Sequence, residues 1–154
     1  MDIIFDIDGT VANLDHRLGY VRTKPKNWAA FDAAIPHDSV IAPVRDVYDM
    51  LAYWPGGSTE PKNRIIFASG RSDRTRAETE AWLFSNGFKQ FEKLYMRSDG
   101  DTRKDFIIKA ELLEQMRADG YDPKICFDDR LSVAREWPKL GVFCFCVNQG
   151  FQEF

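Results

Sequence analysis

Short apolar runs bounded by turn-forming residues recur along the chain. Five of them predict strands, at residues 3–7, 64–68, 93–96, 125–127 and 142–147. They are rich in Ile, Val and Phe, a composition that is typical of strands buried on both faces of a sheet.

Stretches with helical periodicity lie between these runs and predict helices at about residues 43–54, 72–85, 101–119 and 131–137. Pro43 suits a first helical turn, Ser72 or Asp73 can cap the second helix, and Gly120 can end the third. Because strands alternate with helices, we expect an α/β fold with a central parallel sheet covered by helices on both faces.

Two stretches lack sustained periodicity. Residues 11–39 follow the first strand, and residues 55–63 have the composition of a solvent-exposed loop. Since the sequence contains no repeat and no linker, a single domain is expected over residues 1–154, with a small cap element at about 12–40.

Composition narrows the class of protein. The chain has 154 residues, of which 44% are hydrophobic, so a sizeable core can form without disulfides. Its 21 basic and 24 acidic residues give a net charge of −3, so any contact with nucleic acid must come from a local patch. The N-terminus has no basic start followed by a long apolar stretch, and no targeting segment or membrane span is expected.

The three cysteines make a disulfide framework improbable, and reduced thiols fit a cytoplasmic protein. Cys144 and Cys146 are two apart in a predicted strand, so a C-x-C metal site is conceivable. No Cys or His cluster completes such a site, however, and buried packing is the favoured interpretation.

Candidate chemistry begins at Asp6-Ile7-Asp8-Gly9-Thr10, directly after the first strand. Ligands bind at this end of strands in parallel sheets. Two carboxylates ~4 Å apart repel by on the order of 4 kcal/mol at an effective dielectric of about 20. A divalent cation such as Mg²⁺ removes that cost. The alternative is a strand end followed by an ordinary turn.

Three further polar motifs follow the first. They are Ser69-Gly70-Arg71, Gly100-Asp101-Thr102-Arg103-Lys104-Asp105 and Asp128-Asp129-Arg130. The first can cradle a phosphate, Lys104 can neutralise one at a helix start, and the last can hold a metal. Taken singly, each is equally an ordinary loop, a solvated charge run or a helix cap.

Taken in order, an acid pair, a hydroxyl, a lysine and a second acid pair resemble the haloacid dehalogenase (HAD) superfamily. The resemblance implies a HAD-like Rossmannoid fold and a phosphomonoesterase that acts through an aspartyl-phosphate. By the same resemblance, Asp6 is the nucleophile, Asp8 the general acid and base, and Lys104 the balancing charge. Ser69 then binds the phosphoryl group, and Mg²⁺ is held by Asp6, the carbonyl of Asp8, Asp128 and Asp129.

The motifs from residue 69 onward, together with a tail that includes Gly150-Phe151, also resemble the phosphatase domain of phage polynucleotide kinase-phosphatases. That family removes 3′-phosphates from nucleic-acid ends, so the resemblance implies a phosphorylated nucleic-acid end or a nucleotide as substrate. Further contacts to the substrate phosphate are then expected from the following residues: Thr10, Arg17, Gly70, Arg71 and Arg103.

Other functions remain open at this point. They are a 5′-nucleotidase or other phosphatase of small nucleotides, a phosphotransferase to an acceptor other than water, and a catalytically silent phosphate-binding domain. No G-x-x-x-x-G-K-[ST] loop is present, so kinase activity is not expected. Stacking of a base on Trp28 or Phe31 is an alternative to their packing in the core or cap, and His16 is expected to be packed or solvated.

Overall fold

The computed structural model describes residues 1–56 and 58–148. Its strands are β1 (Asp2–Phe5), β2 (Ala12–Asn13), β3 (Ser39–Val40), β4 (Arg64–Ser72), β5 (Lys93–Arg97), β6 (Pro123–Asp128) and β7 (Phe143–Cys146). Five of them form one sheet in the order β5-β4-β1-β6-β7, and every neighbouring pair is parallel. The predicted parallel sheet is therefore confirmed.

The helices are α1 (Gly19–Arg22), α2 (Trp28–Ala33), α3 (Ala42–Ala52), α4 (Arg76–Ser85), α5 (Asp105–Ala118) and α6 (Leu131–Ala134). Short 3₁₀ helices cover Asp15–Arg17, Ile35–His37, Asp73–Thr75 and Trp137–Leu140. Among the described residues, no helix has both the length and the apolar character that a membrane crossing requires.

Successive residues of β1 point to opposite faces of the sheet, and both faces are buried. Ile3 and Phe5 join a core with Tyr48 of α3 and Trp82 of α4. Ile4 joins a second core, with α5 and α6. This two-sided burial explains the uninterrupted apolar runs, because neither face of the strand meets water.

Element boundaries differ from the predictions where turns intervene. The first strand ends at Phe5, because the Ile7 carbonyl accepts the amides of Thr10, Val11 and Ala12 and turns the chain. β4 continues beyond the predicted residue 68 to Ser72. The predicted helix at 131–137 is two shorter pieces, the second beginning at Trp137.

Residues 12–40, called the cap segment below, have more order than their sequence indicated. β2 pairs antiparallel with β3, and α1 and α2 lie between these strands. The Asn27 side chain accepts the Ala30 amide at 3.0 Å and caps α2. Asp32 then pairs with Arg74, 2.6 Å away, which ties α2 to the chain after β4.

The other predicted loop, residues 55–63, contains neither helix nor strand in its described part, which omits Gly57. All three cysteines are free thiols. The tail motif Gly150-Phe151 lies outside the described residues.

Candidate active site

The site lies where β1, β4 and β6 end side by side. Asp6 follows β1, and its amide donates to the Phe127 carbonyl of β6 at 3.0 Å. Asp128 ends β6, and Asp129 follows it. A cleft of about 690 Å³ opens over these carboxylates, with the cap segment along one side. Parallel pairing therefore brings together side chains that are more than 120 residues apart in sequence.

Asp6 is buried and held from two sides. Lys109 of α5 donates to Asp6 Oδ1 at 2.5 Å, and the Thr10 hydroxyl donates to Oδ2 at 3.2 Å. Burial raises the pKa of the Asp6 carboxyl well above its usual range, and the charges of Asp128 and Asp129 act in the same direction against Lys109. An ionised Asp6 therefore depends on the nearby positive charge.

Three carboxylates form a cluster that suits a metal ion. Oxygen atoms of Asp6, Asp128 and Asp129 all lie within 4.8 Å of one another. Burial and the neighbouring Asp128 charge raise the pKa of Asp129 to about 6. Such a set of oxygen donors fits a hard divalent cation such as Mg²⁺, which would relieve their mutual repulsion.

Gly9 is required next to this cluster for two reasons. Its φ of +83° lies in the left-handed region, which disfavours side chains. A Cβ at this position would also lie 2.1 Å from Asp129 Oδ2. The turn of the first motif thus makes room for the carboxylate of the last motif.

The Asp8 side chain turns away from the other carboxylates and binds two arginines. Arg71 donates to its two oxygens, with the shortest contact at 2.6 Å, and Arg17 donates at 3.1 Å. Burial alone would raise the pKa of Asp8, but the charges of Arg71 and Arg17 outweigh it and lower the pKa. Asp8 is therefore ionised in this arrangement.

Asp38, which belongs to none of the predicted motifs, binds both of those arginines. Its carboxylate accepts from Arg17 at 2.7 and 2.8 Å and from Arg71 at 2.9 Å. His16 approaches it at 2.8 Å. The Asp38 side chain is fully buried, as is that of Arg17. No periodicity or motif marks Asp38, because its partners lie far away in the sequence.

The structure brings Lys109, and not the predicted Lys104, into contact with Asp6. Lys104 is exposed at the N-cap of α5, with its amine 6.0 Å from the Phe106 ring centre. Lys109 is 1% exposed on the buried face of the helix, beside Ile108 and Leu112. A lone charge within that apolar stripe was the signal that could have found it.

Arg17 also differs from expectation. Its guanidinium is bound by Asp38 and Asp8 and stacks on the Phe31 ring, with Cζ 4.2 Å from the ring centre. The fully buried Arg17 side chain thus contacts protein groups here, and its contact with a substrate phosphate stays a prediction.

Ser69, Gly70 and Arg71 lie within β4, and not in a turn before a helix as expected. Ser69 is buried, and its hydroxyl accepts the Arg71 amide at 3.1 Å. A Cβ on Gly70 would lie 2.2 Å from Asp105 Oδ1, so a larger residue here would displace the Asp105 carboxylate at the start of α5.

Arg103 lies on the rim of the cleft, where it pairs with two acidic residues. It binds Asp101 at 2.7 Å and Glu111 at 2.7 Å and is largely exposed. The structure thus places Arg103 at the entrance and leaves its guanidinium engaged with protein carboxylates.

The parallel sheet, the acidic residues at its carboxyl edge and the buried lysine together define a phosphatase domain of the HAD type. Residues 1–151 match the family model described as "Polynucleotide kinase PNKP phosphatase domain". The chain belongs to that family.

Individual relatives agree with this placement. The chain is 29% identical over 153 residues to a protein of Autographa californica nuclear polyhedrosis virus described as "Putative bifunctional polynucleotide kinase/RNA ligase". That match covers 99% of this chain and 20% of the viral protein. The chain thus spans about a fifth of the viral relative.

Solved structures give the same result. A chain in the structure of the Pnkp1/Rnl/Hen1 RNA repair complex matches with a TM-score of 0.76 at 31% identity, over 98% of this chain and 43% of that one. A second Pnkp1/Rnl/Hen1 complex gives 0.74 at 31%, over 98% and 47%. A predicted HAD-like family hydrolase from Porphyromonas gingivalis gives 0.58 at 15%, over 97% and 91%, a likeness of fold alone.

Proposed function

We propose that this domain removes 3′-phosphates from nucleic-acid ends in a Mg²⁺-dependent reaction through an aspartyl-phosphate on Asp6. The observation that carries the proposal is the position of Asp6, between the Lys109 ammonium and the carboxylates of Asp128 and Asp129. A carboxylate in this setting can be kept ionised and presented to phosphorus at the floor of an open cleft.

The carboxylates of Asp6, Asp128 and Asp129, with the backbone carbonyl of Asp8, would hold the Mg²⁺ ion. When bound, the ion neutralises charge on the phosphoryl oxygens and so lets one anion approach another. Lys109, which α5 carries on its buried face, contributes a second positive charge beside the ion. Burial alone would lower the pKa of its ammonium, but the charges of Asp128 and Asp6 outweigh it and raise the pKa.

In the first step, an Asp6 oxygen attacks phosphorus, and the bond between phosphorus and the substrate 3′ oxygen breaks. The Asp8 carboxyl donates its proton to that leaving oxygen. In the second step, water attacks the phosphorus of the aspartyl-phosphate and gives a proton back to Asp8. The bond to Asp6 breaks, inorganic phosphate leaves, and both carboxyl groups return to their starting states.

Asp8 can serve in both steps because Arg71 can exchange it for the substrate phosphate. When Arg71 turns to the substrate phosphate, Asp8 loses a cationic neighbour, and its pKa rises toward a value at which it carries a proton. When the phosphate leaves, Arg71 returns and Asp8 ionises again. Proton transfer of this kind contributes about 10²–10⁴-fold in rate.

The family of the chain supports a nucleic-acid end as the substrate, and the names of its relatives favour RNA over DNA. Arg74 and Arg103 line the cleft, and each would have to exchange a protein carboxylate for a backbone phosphate of the strand. The three free cysteines support a cytoplasmic location.

The test is phosphate release with Mg²⁺ from matched substrates: a 3′-phosphorylated RNA oligonucleotide, its DNA equivalent, a 5′-phosphorylated oligonucleotide and 5′-mononucleotides. We expect the largest kcat/KM on the 3′-phosphorylated RNA. Preference for mononucleotides would replace the proposal with a 5′-nucleotidase. Transfer to an added alcohol in place of water would indicate a phosphotransferase, and no turnover on any substrate would indicate a silent phosphate-binding domain.

A further inference from the structure

One wall of the cleft is apolar and aromatic, and the proposed chemistry does not use it. Leu18 and Val21 of the first part of the cap segment line it, together with Trp28 and Phe31 of α2. Trp28 is 49% exposed, whereas Trp82 and Trp137 are 3% and 1% exposed. A large exposed indole ring beside a polar site suits a ligand that has a flat apolar face.

Trp28 is held in place by a chain of contacts that starts at Asp8. Arg17 binds Asp8 at 3.1 Å and stacks on the Phe31 ring at 4.2 Å. The Phe31 ring meets the Trp28 ring edge to face, with the centres 5.7 Å apart. The exposed indole is therefore separated by one ring, that of Phe31, from the arginine that binds the proposed proton donor.

The N-terminus of α2 is also held in place. Asn27 caps the helix, and its amide donates to the Tyr20 carbonyl at 2.7 Å. Asp32, one turn after Trp28, pairs with Arg74, which follows β4. These bonds preorganise the ring before a ligand arrives, so little conformational freedom is lost on binding.

We propose that Trp28 is the stacking platform for the base of the terminal nucleotide, whose phosphate lies over Asp6. This inference rests on the proposed function and adds the group that the enzyme recognises beside the phosphate. The alcohol part of any phosphate ester bound at Asp6 must lie along the cleft, and the cleft of about 690 Å³ has room for a nucleotide. The base at a 3′ end has one face without a neighbour, which an indole can cover.

A lysine lies beside the Trp28 ring, where its positive charge would favour the phosphates of a nucleic-acid strand. The Lys26 amine lies 5.5 Å from the Trp28 ring centre and also lines the cleft. An aromatic ring beside a cation is a common arrangement in proteins that bind single strands, where stacking tolerates any base. The platform thus predicts recognition of a base without strong preference for its identity.

The test compares two 3′-phosphorylated oligonucleotides that differ only in the terminal residue, one with a base and one abasic. The variants are Trp28→Ala, Trp28→Phe and, as matched control, Trp54→Ala. Trp54 is 48% exposed and also has a lysine near its ring, Lys62 at 5.7 Å, but it lies outside the cleft in the connection before β4.

We expect Trp28→Ala to lower kcat/KM on the base-bearing end by about 5- to 100-fold, the usual range for loss of one stacked base. The abasic end should change less than about twofold, since no stacking is lost there. Trp28→Phe should keep most of the activity, and Trp54→Ala should match the wild type. An equal fall on both ends, or no fall on either, would overturn the platform.

The experiment also distinguishes a wrong substrate from a wrong role for Trp28. If the wild type ignores 3′ ends and hydrolyses 5′-mononucleotides, the proposed substrate is wrong. The same variants are then measured on a nucleoside 5′-monophosphate and on ribose 5-phosphate. A selective loss by Trp28→Ala on the nucleotide would retain the platform, and an unselective effect would reject it.

Discussion

The Lys109 ammonium lies 2.5 Å from Asp6 Oδ1 and 3.2 Å from Asp128 Oδ2, and its third partner is the Ala68 carbonyl at 2.7 Å. One lysine on the buried face of α5 thus joins the ends of β1 and β6 to the middle of β4. Three buried carboxylates need this compensation, because uncompensated charges in a protein interior are strongly destabilising.

Replacement of Lys109 by Met is expected to lower kcat by about 10²–10³-fold, the usual loss when one fixed electrostatic partner is removed from an active site. The matched change, Lys104→Met, should leave kcat within about threefold of the wild type, since exposed side chains away from the chemistry contribute little. Phosphate release by both variants under saturating substrate decides between the two lysines. A large loss in Lys104→Met with an active Lys109→Met would restore the assignment made from sequence.

Asp6→Asn is expected to abolish phosphate release and leave the fold intact. The amide keeps the shape of the carboxylate but is a poor nucleophile, and it removes one of three mutually repelling charges. Thermal unfolding checks the fold, and radiolabelled phosphate on the wild-type protein during turnover checks the intermediate. If the variant retains more than about a tenth of the rate, a barrier change below about 1.4 kcal/mol, then Asp6 is not the nucleophile.

Chelation is expected to stop turnover, and added Mg²⁺ should restore it. Since Asp6, Asp128 and Asp129 converge in the folded state, Mg²⁺ should also raise the unfolding temperature by mass action. Stabilisation of about 2.7 kcal/mol is expected at a Mg²⁺ concentration 100 times the dissociation constant. Asp129→Asn should lose most of that stabilisation. Full activity in the presence of chelator would exclude the metal from the mechanism.

Asp38→Asn is expected to reduce kcat by at least about tenfold although Asp38 contacts neither phosphorus nor a proposed metal ligand. The amide cannot balance the charges of Arg17 and Arg71, so both arginines should pull more strongly on Asp8 and lower its pKa further. The alkaline limb of the kcat profile, where Asp8 loses the proton that it donates in the first step, should therefore move to lower pH. A loss of stability with no change in the pH profile would indicate a purely structural role for Asp38.

Much of the fold and part of the site follow from local sequence rules. Apolar runs marked the sheet, and acidic residues after two of them marked the carboxylate cluster, because the carboxyl ends of neighbouring parallel strands meet at one edge. Lys104 does lie at the N-cap of α5, as its sequence position predicts, but the helix turns Lys109, five residues later, toward the buried carboxylates. Asp38 depends on partners 21 and 33 residues away, which no local pattern encodes.

The amino-terminal end of β1, at the end of the sheet away from the cleft, provides a test of the fold that is independent of the chemistry. The Asp2 carboxylate accepts two hydrogen bonds from Arg64, at 2.6 and 2.7 Å, and one from the Asp122 amide at 2.7 Å. Burial alone would raise the pKa of Asp2, but these hydrogen bonds and the Arg64 charge outweigh it and lower the pKa below the usual 3.8.

A lowered pKa means that the folded state binds the Asp2 proton more weakly than the unfolded state. The stabilisation of the folded state by the ionised Asp2 carboxylate is therefore complete above its unfolded pKa of about 3.8. It is lost as the pH falls through the lower pKa that Asp2 has in the folded state. Asp2→Asn should lower the unfolding temperature by roughly 3–6 °C at pH 7, and the gap to the wild type should close at pH values below the folded pKa. Asp122→Asn is the control, because that carboxylate is exposed and its ion pair is with exposed Lys124. Thermal unfolding of the three proteins from pH 7 to pH 3 measures the gap directly, and a gap that widens on acidification would contradict the ion pair.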